Sequence, residues 1–215
     1  MPTRGRQKWA AQAVDCYRAQ TYADRELIVI DDEDDRSFPS GLEAPNITYV
    51  LQRAIRRNIP QKLNDACQLA RGQVIAKWDS DDWYAPERIA DEVQMLRSSG
   101  KAVAGYNTIL FFNESTQEVR EYRGNPIWAS GTSLCFRKDW WQQHPFIEQP
   151  PIGSDTRFSG AAEQERQTVT KPSGQTIVAR LHPGNTAPKR GWRSYHPKAL
   201  SDLPEGFLRL LEVTV

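Results

Sequence analysis

The feature that most constrains the fold of this chain is a pair of short apolar runs that each lead directly into carboxylates. Residues 26–30 end in β-branched side chains before the aspartates 31 and 32, and residues 73–78 precede the acidic loop, residues 79–82, which reads Asp-Ser-Asp-Asp. Short β-branched runs are typical of buried strands. Because ligands of open parallel α/β sheets bind beyond the carboxyl ends of the strands, we expect both acidic groups at one rim.

Helical patterns alternate with these strands. Apolar side chains recur at helical spacing in residues 7–20 and 63–70, and a third helix is predicted between Pro86 and Gly100. Proline is tolerated in the first turn of a helix, and glycine commonly ends one. The alternation predicts an α/β fold with a mainly parallel central sheet flanked by helices.

The second half of the chain follows another pattern and predicts a smaller antiparallel portion. We expect strands at residues 102–112, 118–122, 133–136 and 176–181 and helices at 138–143 and 204–211, in addition to a short strand at residues 48–51 in the first half. Ser154 is a candidate N-cap for a further helix that begins near Asp155. The 215 residues suffice for one domain with an apolar core.

The composition excludes some classes of protein. The 28 basic and 27 acidic residues nearly cancel, so no net field attracts nucleic acid. Basic residues gather at 53–57 and 189–193, and such clusters are usually solvated faces.

Three widely spaced cysteines suggest neither a disulfide framework nor a zinc site, and they fit a cytoplasmic setting. No apolar run reaches the ~20 residues of a membrane span, and the N-terminus lacks a signal core.

The carboxylates at the predicted rim favour a cation site. Crowded carboxylates repel one another unless a cation or hydrogen-bond donors lie among them. Hard oxygen ligands suit Mg²⁺ or Mn²⁺, which also bind a substrate diphosphate. A solvated acidic turn is the alternative, and it is the usual explanation of an isolated Asp-x-Asp. Here a strand precedes the acidic loop and a proline-started helix follows it, which favours the cation.

Taken in order, the motifs resemble those of the bacterial-type family 2 glycosyltransferases, which have the GT-A nucleotide-sugar-binding fold. The matching pieces are residues 2–6, 20–22, 26–32, 62–64, 70–72, 74–82, 153–158 and 182–186. The acidic loop resembles the family's Asp-x-Asp segment, and residues 153–158 resemble the loop that supplies its catalytic base. The resemblance implies one glycosyltransferase domain over 1–215, with a nucleotide-binding half (1–100), an acceptor and catalytic half (101–199) and a C-terminal helix (200–215).

The resemblance also implies roles for individual residues. The implied donor-binding residues are Pro2, Thr3, Arg4, Asp31, Asp32, Lys62, Asp79 and Asp82. Asp81 and Asp79 would hold Mn²⁺ or Mg²⁺, with His182 as a further ligand and His196 as its competitor for that role. Asp155 would be the general base, and the alternative is a carboxylate that satisfies a helix N-terminus. Trp128, Gly131 and Thr132 would contact the acceptor, although rim packing is an equally good explanation of the tryptophan.

The implied activity is transfer of a sugar from a nucleotide-diphosphate sugar to an acceptor hydroxyl, with inversion at the anomeric carbon. The cation would stabilise the departing diphosphate, and a carboxylate on the opposite face would accept the proton. Lys189, Arg190 or Arg193 could add positive charge. The acceptor is a glycan, a lipid-linked molecule or a small molecule, and the protein could work at the inner face of the membrane. The alternatives are a non-catalytic nucleotide-sugar or glycan-binding module and, more remotely, a nucleotidyltransferase.

One departure from the family pattern concerns the first strand. An apolar strand usually precedes the Pro-Thr loop, whereas Met1 stands where that strand should end. We therefore expect the first strand to be missing or truncated, which would leave backbone groups unpaired in the sheet. We also expect a version extended upstream to be more stable.

Overall fold

The computed structural model describes residues 1–33, 44–52, 56–186 and 191–212. The helices are α1 (Gln7–Arg18), α2 (Ile59–Leu69), α3 (Arg88–Ser99), α4 (Lys138–Gln143), α5 (Ser154–Gln164) and α6 (Glu205–Glu212). The strands are β1 (Pro2–Thr3), β2 (Leu27–Asp31), β3 (Ile47–Leu51), β4 (Val74–Ala76), β5 (Trp83–Tyr84), β6 (Val103–Asn113), β7 (Glu118–Arg123), β8 (Cys135–Arg137), β9 (Thr168–Pro172), β10 (Ile177–Leu181) and β11 (His196–Lys198). Single 3₁₀ turns lie at Gly131–Ser133, Trp192–Ser194 and Leu200–Asp202.

The first sheet is parallel and contains β1, β2 and β3 in that order. β2 is buried along its whole length, as its apolar sequence predicted. β1 has two residues, which pair with the end of β2 through Pro2 opposite Ile30 and Thr3 opposite Asp31. The first strand is therefore a short one, and it delivers the residues that follow it to the carboxyl end of β2.

The second sheet has eight strands and is mixed. Its long central strand β6 runs parallel to β9 and β10 and antiparallel to β7 and β8. The predicted α/β fold is confirmed, but the antiparallel portion is not the smaller one. The strands β5, β9 and β11 were not predicted because they are short, and β9 and β11 are largely polar or exposed. β6 has eleven residues, is buried almost throughout and pairs with strands that run parallel and antiparallel to it.

Two helix ends show where local sequence decides structure. α2 begins with a capping box, in which Asn58 and Gln61 each accept from the other's backbone N–H. The predicted N-cap of α5 is wrong by one residue. Gly153, at φ +78°, occupies the cap position, and Ser154 is the first helical residue, with its side chain buried. Only glycine adopts that backbone angle without strain.

A cavity of about 550 Å³ separates the two sheets, with Leu27 and Ile28 of β2 on one wall and β4 on the other. The amino group of Met1 is buried beside it and donates to the carbonyl of Ile28 at 2.6 Å. Burial lowers the pKa of this amino group to about 5. The effect of an upstream extension on stability stays a prediction. Among the described residues, none of the helices is both long and apolar enough to cross a bilayer.

The three cysteines lie in the core. Cys16, Cys67 and Cys135 are buried. Burial raises the pKa of the Cys16 thiol to about 11 and that of Cys67 to about 12. Thiols of this kind pack as small apolar side chains and are poor nucleophiles.

Candidate active site

The two acidic groups meet in one cavity of about 1010 Å³. Its walls include Asp32 at the end of β2, the acidic loop that follows β4, and Asp155 in the first turn of α5. Because β2 and β4 both end at this rim, residues far apart in sequence reach the same space. The arrangement agrees with the expectation that the two acidic groups share a rim.

The acidic loop is held from behind by a buried aromatic and cationic cluster. The backbone N–H of Asp79 donates to the Tyr84 hydroxyl at 2.8 Å. Arg88 donates to the carbonyl of Lys77 at 2.8 Å, and its guanidinium lies 4.2 Å from the ring centre of Tyr84. Arg88 is completely buried and also pairs with Glu92 at 3.1 Å. Arg88 was not predicted to have a role, since an arginine in a helical pattern is typical of a surface residue.

Asp81 receives three hydrogen bonds on one carboxylate oxygen, Oδ2. The donors are Arg6 at 2.7 Å, His182 at 3.1 Å and Asn185 at 3.3 Å. Burial opposes the charge, but the hydrogen bond from His182 and the charge of Arg6 outweigh it and hold the pKa of Asp81 below its ordinary value. Arg6 also donates to the carbonyl of Gly184 at 2.6 Å, so it ties the loop after β10 to the acidic loop.

His182 is oriented as a hydrogen-bond donor to Asp81. The N–H of Gly184 donates to Nδ1 of the imidazole at 3.1 Å, which assigns the ring proton of the neutral form to Nε2. The ring is buried and stacks on Trp9, with 4.0 Å between ring centres. In this tautomer Nε2 donates to Asp81, and the role of His182 as a metal ligand stays a prediction. His196 lies on β11 and is exposed.

Asp82 is buried on the other side of the acidic loop. It accepts from the N–H of Arg180 at 3.0 Å and from the hydroxyl of Thr132. Burial and the negative charges of Asp81 and Asp79 raise the pKa of Asp82 to about 7. The acidic loop therefore contains more negative charge than its protein partners neutralise.

Asp79 does not join Asp81. Both of its carboxylate oxygens are held by the ammonium of Lys77, at 2.7 and 2.6 Å. Of the predicted ligands, Asp81 and His182 therefore meet, whereas Asp79 is held apart from them by Lys77. In the described part of the chain, no group of three His, Cys, Asp or Glu side chains is arranged as a metal site. Asp79 is turned away because the buried ammonium of Lys77 attracts its carboxylate, whereas the neighbouring carboxylates repel it.

Asp32 is already paired within the protein. Lys62 contacts its Oδ1 and donates to the carbonyl of Thr3 at 2.8 Å, while the N–H of Arg57 donates to its Oδ2 at 2.9 Å. Burial lowers the pKa of Lys62, although its contact with Asp32 opposes that shift. Asp31 lies behind Asp32 and accepts from the Tyr49 hydroxyl at 2.9 Å. Thr3 thus contacts Lys62 through its backbone carbonyl. The role of Asp31 as a support for Asp32 stays a prediction.

Basic side chains form a second part of the cavity wall. They are Arg4, Arg6, Arg56, Arg57 and Lys62, and Pro2 lies beside them. Residues 53–57 were predicted to be a solvated face. No local sequence signal shows that the segment before α2 brings Arg56 and Arg57 to the acidic rim. Lys189 and Arg190 lie outside the described residues, as does the side chain of Arg193. The basic wall suits an anionic ligand.

The predicted acceptor residues separate into two groups. Gly131 and Thr132 line the cavity, and a Cβ on Gly131 would lie 2.8 Å from Oδ2 of Asp155. Gly131 is therefore a spacer that lets Asp155 approach the loop. Trp128 is not among the lining residues, and its ring packs against Gly160 of α5, where a Cβ would meet it at 3.2 Å. The predicted acceptor platform at Trp128 is better explained by packing.

Comparison with known proteins agrees with this geometry. A model of glycosyl transferase family 2 matches residues 1–153. The putative colanic acid biosynthesis glycosyl transferase WcaA of Escherichia coli K12 is 33% identical over 95 residues, which are 42% of this chain and 34% of that protein.

Two solved structures have a similar fold. S. aureus TarS 1-349 in complex with UDP-GlcNAc has a TM-score of 0.66 at 14% identity, over 87% of this chain and 60% of that one. The mannosyltransferase PcManGT from Pyrobaculum calidifontis, in complex with GDP-Man and Mn²⁺, has a TM-score of 0.62 at 18% identity, over 90% of this chain and 57% of that one. The chain spans about a third of the curated relative and less than two thirds of each structure. Since the family model covers most of its length, the chain belongs to glycosyl transferase family 2.

Proposed function

We propose that this chain transfers a glycosyl group from a nucleoside-diphosphate sugar to an acceptor hydroxyl, with a divalent cation and with inversion. The observation that carries the proposal is the composition of the 1010 Å³ cavity. It combines a basic wall, an acidic loop with unneutralised charge and a separate carboxylate, Asp155. The basic wall suits a nucleoside diphosphate, the acidic loop suits a cation, and Asp155 suits the deprotonation of an attacking hydroxyl.

The donor would lie along the rim between β2 and the acidic loop. Asp32, held by Lys62, offers a carboxylate to the base or ribose of the nucleotide. Arg4 and Arg57 line the same cavity and can approach the diphosphate. Arginine suits this task because its planar guanidinium can donate two parallel hydrogen bonds to phosphate oxygens.

The residues present fit a hard divalent cation, Mn²⁺ or Mg²⁺. The raised pKa of Asp82 indicates excess negative charge, and the guanidinium of Arg6 already contacts Asp81 where a cation would bind. Asp81 would hold the ion, with phosphate oxygens and water completing its ligands, and His182 would keep the carboxylate oriented. When bound, the cation supplies positive charge to the departing diphosphate.

Asp155 would accept the proton of the acceptor hydroxyl. Gly131 lets this carboxylate approach the cavity, and the ammonium of Lys77 lies 3.4 Å from its Oδ2. A carboxylate that removes the proton opposite the leaving group favours in-line attack, which inverts the anomeric carbon. The acceptor is a glycan, a lipid-linked molecule or a small molecule, and contact with a membrane surface stays a prediction.

The similar structures support the donor class. TarS is described with UDP-GlcNAc and PcManGT with GDP-Man and Mn²⁺. A UDP- or GDP-linked sugar is therefore the first donor to test for this chain.

The test is a donor screen by thermal shift and by product formation. UDP-, GDP-, CMP- and dTDP-sugars are compared with and without Mn²⁺, and Asp155→Asn is assayed beside the native chain. We expect one donor to raise the melting temperature only with the cation, and Asp155→Asn to keep that shift but lose transfer. Donor binding without transfer to any acceptor would indicate a non-catalytic binding module. Transfer that persists in Asp155→Asn would exclude this base.

A further inference from the structure

A buried ammonium lies between the acidic loop and α5. Lys77 follows β4 by one residue, and its side chain is only 4% exposed. Its backbone N–H donates to the carbonyl of Leu134 at 2.7 Å, and its own carbonyl accepts from Arg88 at 2.8 Å. Because both backbone groups are held, the position from which the side chain extends is fixed.

The ammonium of Lys77 contacts two carboxylates that face the same cavity. Its Nζ lies 2.6 and 2.7 Å from the oxygens of Asp79 and 3.4 Å from Oδ2 of Asp155. All three residues line the cavity; Asp79 and Asp155 are partly exposed, whereas the side chain of Lys77 is buried. Lys77 therefore links the acidic loop to the first turn of α5.

This arrangement keeps the ammonium of Lys77 charged. Burial opposes the charge of Lys77, but Asp155 and Asp79 outweigh it and raise the pKa of the ammonium above its ordinary value. The lysine thus stays charged, and a fixed cation beside a carboxylate favours the ionised form of that carboxylate. A general base must be ionised and aimed at the hydroxyl before it can accept a proton.

We propose that Lys77 is a positioning residue that keeps Asp155 ionised and fixes its direction relative to Asp79. The chemical meaning of this role rests on the proposed function, in which Asp155 is the base. The linkage between the ammonium and the carboxylate rests on the geometry alone, so it can be tested without any substrate.

Besides Lys77, several charged groups of the described residues lie on the elements that pack near Asp155. The acidic loop presents Asp79 and Asp82, which oppose ionisation, and the 3₁₀ turn Gly131–Ser133 brings no charged side chain. On α5, Arg157 donates to backbone carbonyls of the preceding loop. On β9, Lys171 is paired with Asp91 at 2.5 Å. The helix N-terminus also favours the anion, and it is unchanged in the variants used below.

The direct test follows the Asp155 carboxyl by ¹³C NMR as the ligand-free protein is titrated. In Lys77→Met we expect the midpoint of Asp155 to rise by about one pH unit or more, because the nearby cation is lost. Lys101→Met is the matched control, since Lys101 donates to a carbonyl near the protein surface. An unchanged midpoint in a folded Lys77→Met variant would overturn the proposal.

Two further variants decide the question even if Lys77→Met fails to fold. Asp79→Asn removes the carboxylate that shares the ammonium, so the midpoint of Asp155 should fall. Lys77→Arg keeps the cation and should leave the midpoint within about half a unit of the native value. A rise in Asp79→Asn, or no change, contradicts the proposed linkage.

Kinetics then separate this inference from the proposed function. If both hold, the acid limb of the pH profile of kcat moves in Lys77→Met by as much as the NMR midpoint, while the donor KM changes less than about threefold. If the midpoint moves and the acid limb does not, Lys77 controls Asp155, but Asp155 is not the base.

Discussion

The two acidic groups at the rim are neutralised to different degrees. The carboxylate of Asp32 forms an ion pair with the buried ammonium of Lys62 and accepts a hydrogen bond from the backbone N–H of Arg57. In the acidic loop, Asp82 has a pKa raised to about 7 by burial and by its neighbours. The first group is a completed ion pair that can direct a polar ligand, whereas in the second the hydrogen bonds to Asp82 come from a backbone N–H and a hydroxyl, which are neutral donors. This difference supports the proposed cation site at the acidic loop.

The largest expected effect comes from breaking the completed pair. Lys62→Met leaves Asp32 buried without its cation, which should lower the free energy of unfolding by about 3–5 kcal/mol. Urea denaturation measures the change, and Lys8→Met at an exposed position of α1 is the control. A loss below about 1 kcal/mol would mean that Asp32 is not dependent on Lys62.

Removing the cation-binding carboxylate should affect binding more than stability. Asp81→Ala is expected to weaken Mn²⁺-dependent donor binding by roughly 100-fold or more, since the ion loses its charged ligand. Calorimetric titration of the donor with and without Mn²⁺ measures this effect. Asp15→Ala, at a side chain that is 71% exposed, is the control. Native affinity in Asp81→Ala would place the cation elsewhere.

The unneutralised charge predicts a pH dependence of stability without metal. The carboxyl of Asp82 has a pKa of about 7 in the folded protein and an ordinary value of 3.8, so the folded state binds its proton more tightly. Its contribution to stability is therefore complete below about pH 4 and is lost as the pH rises through 7.

Asp82→Asn removes that dependence. The native chain and the variant should be equally stable below about pH 4, and the variant should gain a further advantage of about 2–3 kcal/mol over the native chain between about pH 5 and pH 8. Thermal melts across this range measure the difference. Saturating Mn²⁺ should reduce it. A difference that does not change with pH would show that Asp82 is ionised throughout the range.

The smallest expected effect concerns Arg6, which contacts Asp81, the carboxylate proposed to bind the cation, at 2.7 Å. Arg6→Met should strengthen the binding of Mn²⁺ alone by about threefold, because the ion no longer competes with the guanidinium. Electron paramagnetic resonance of free Mn²⁺ measures the affinity, and Arg18→Met on the exposed end of α1 is the control. Weaker binding in Arg6→Met would mean that Arg6 organises the site for the ion.

Much of the fold could be predicted because its signals are local. Apolar periodicity indicated α1, α3 and β2 to within about two residues, whereas α2 begins at Ile59, about four residues before the predicted start, at a capping box that the apolar spacing does not reveal. β9 and β11 escaped prediction because polar strands gain their stability from neighbours that are distant in sequence. Trp128 was assigned to the acceptor for the same reason, since its packing partner Gly160 belongs to a later helix.

The sequence by itself determined the family, the α/β class and the two groups of carboxylates that follow strands. All three follow from the type and order of residues along the chain, on which strand and helix propensities directly depend. Only the tertiary structure decided how each carboxylate is neutralised: Asp32 by Lys62, Asp79 by Lys77, and Asp81 by Arg6 and His182. Electrostatic energies depend on burial and on distances of a few ångströms between residues far apart in the chain, and sequence spacing does not contain those distances.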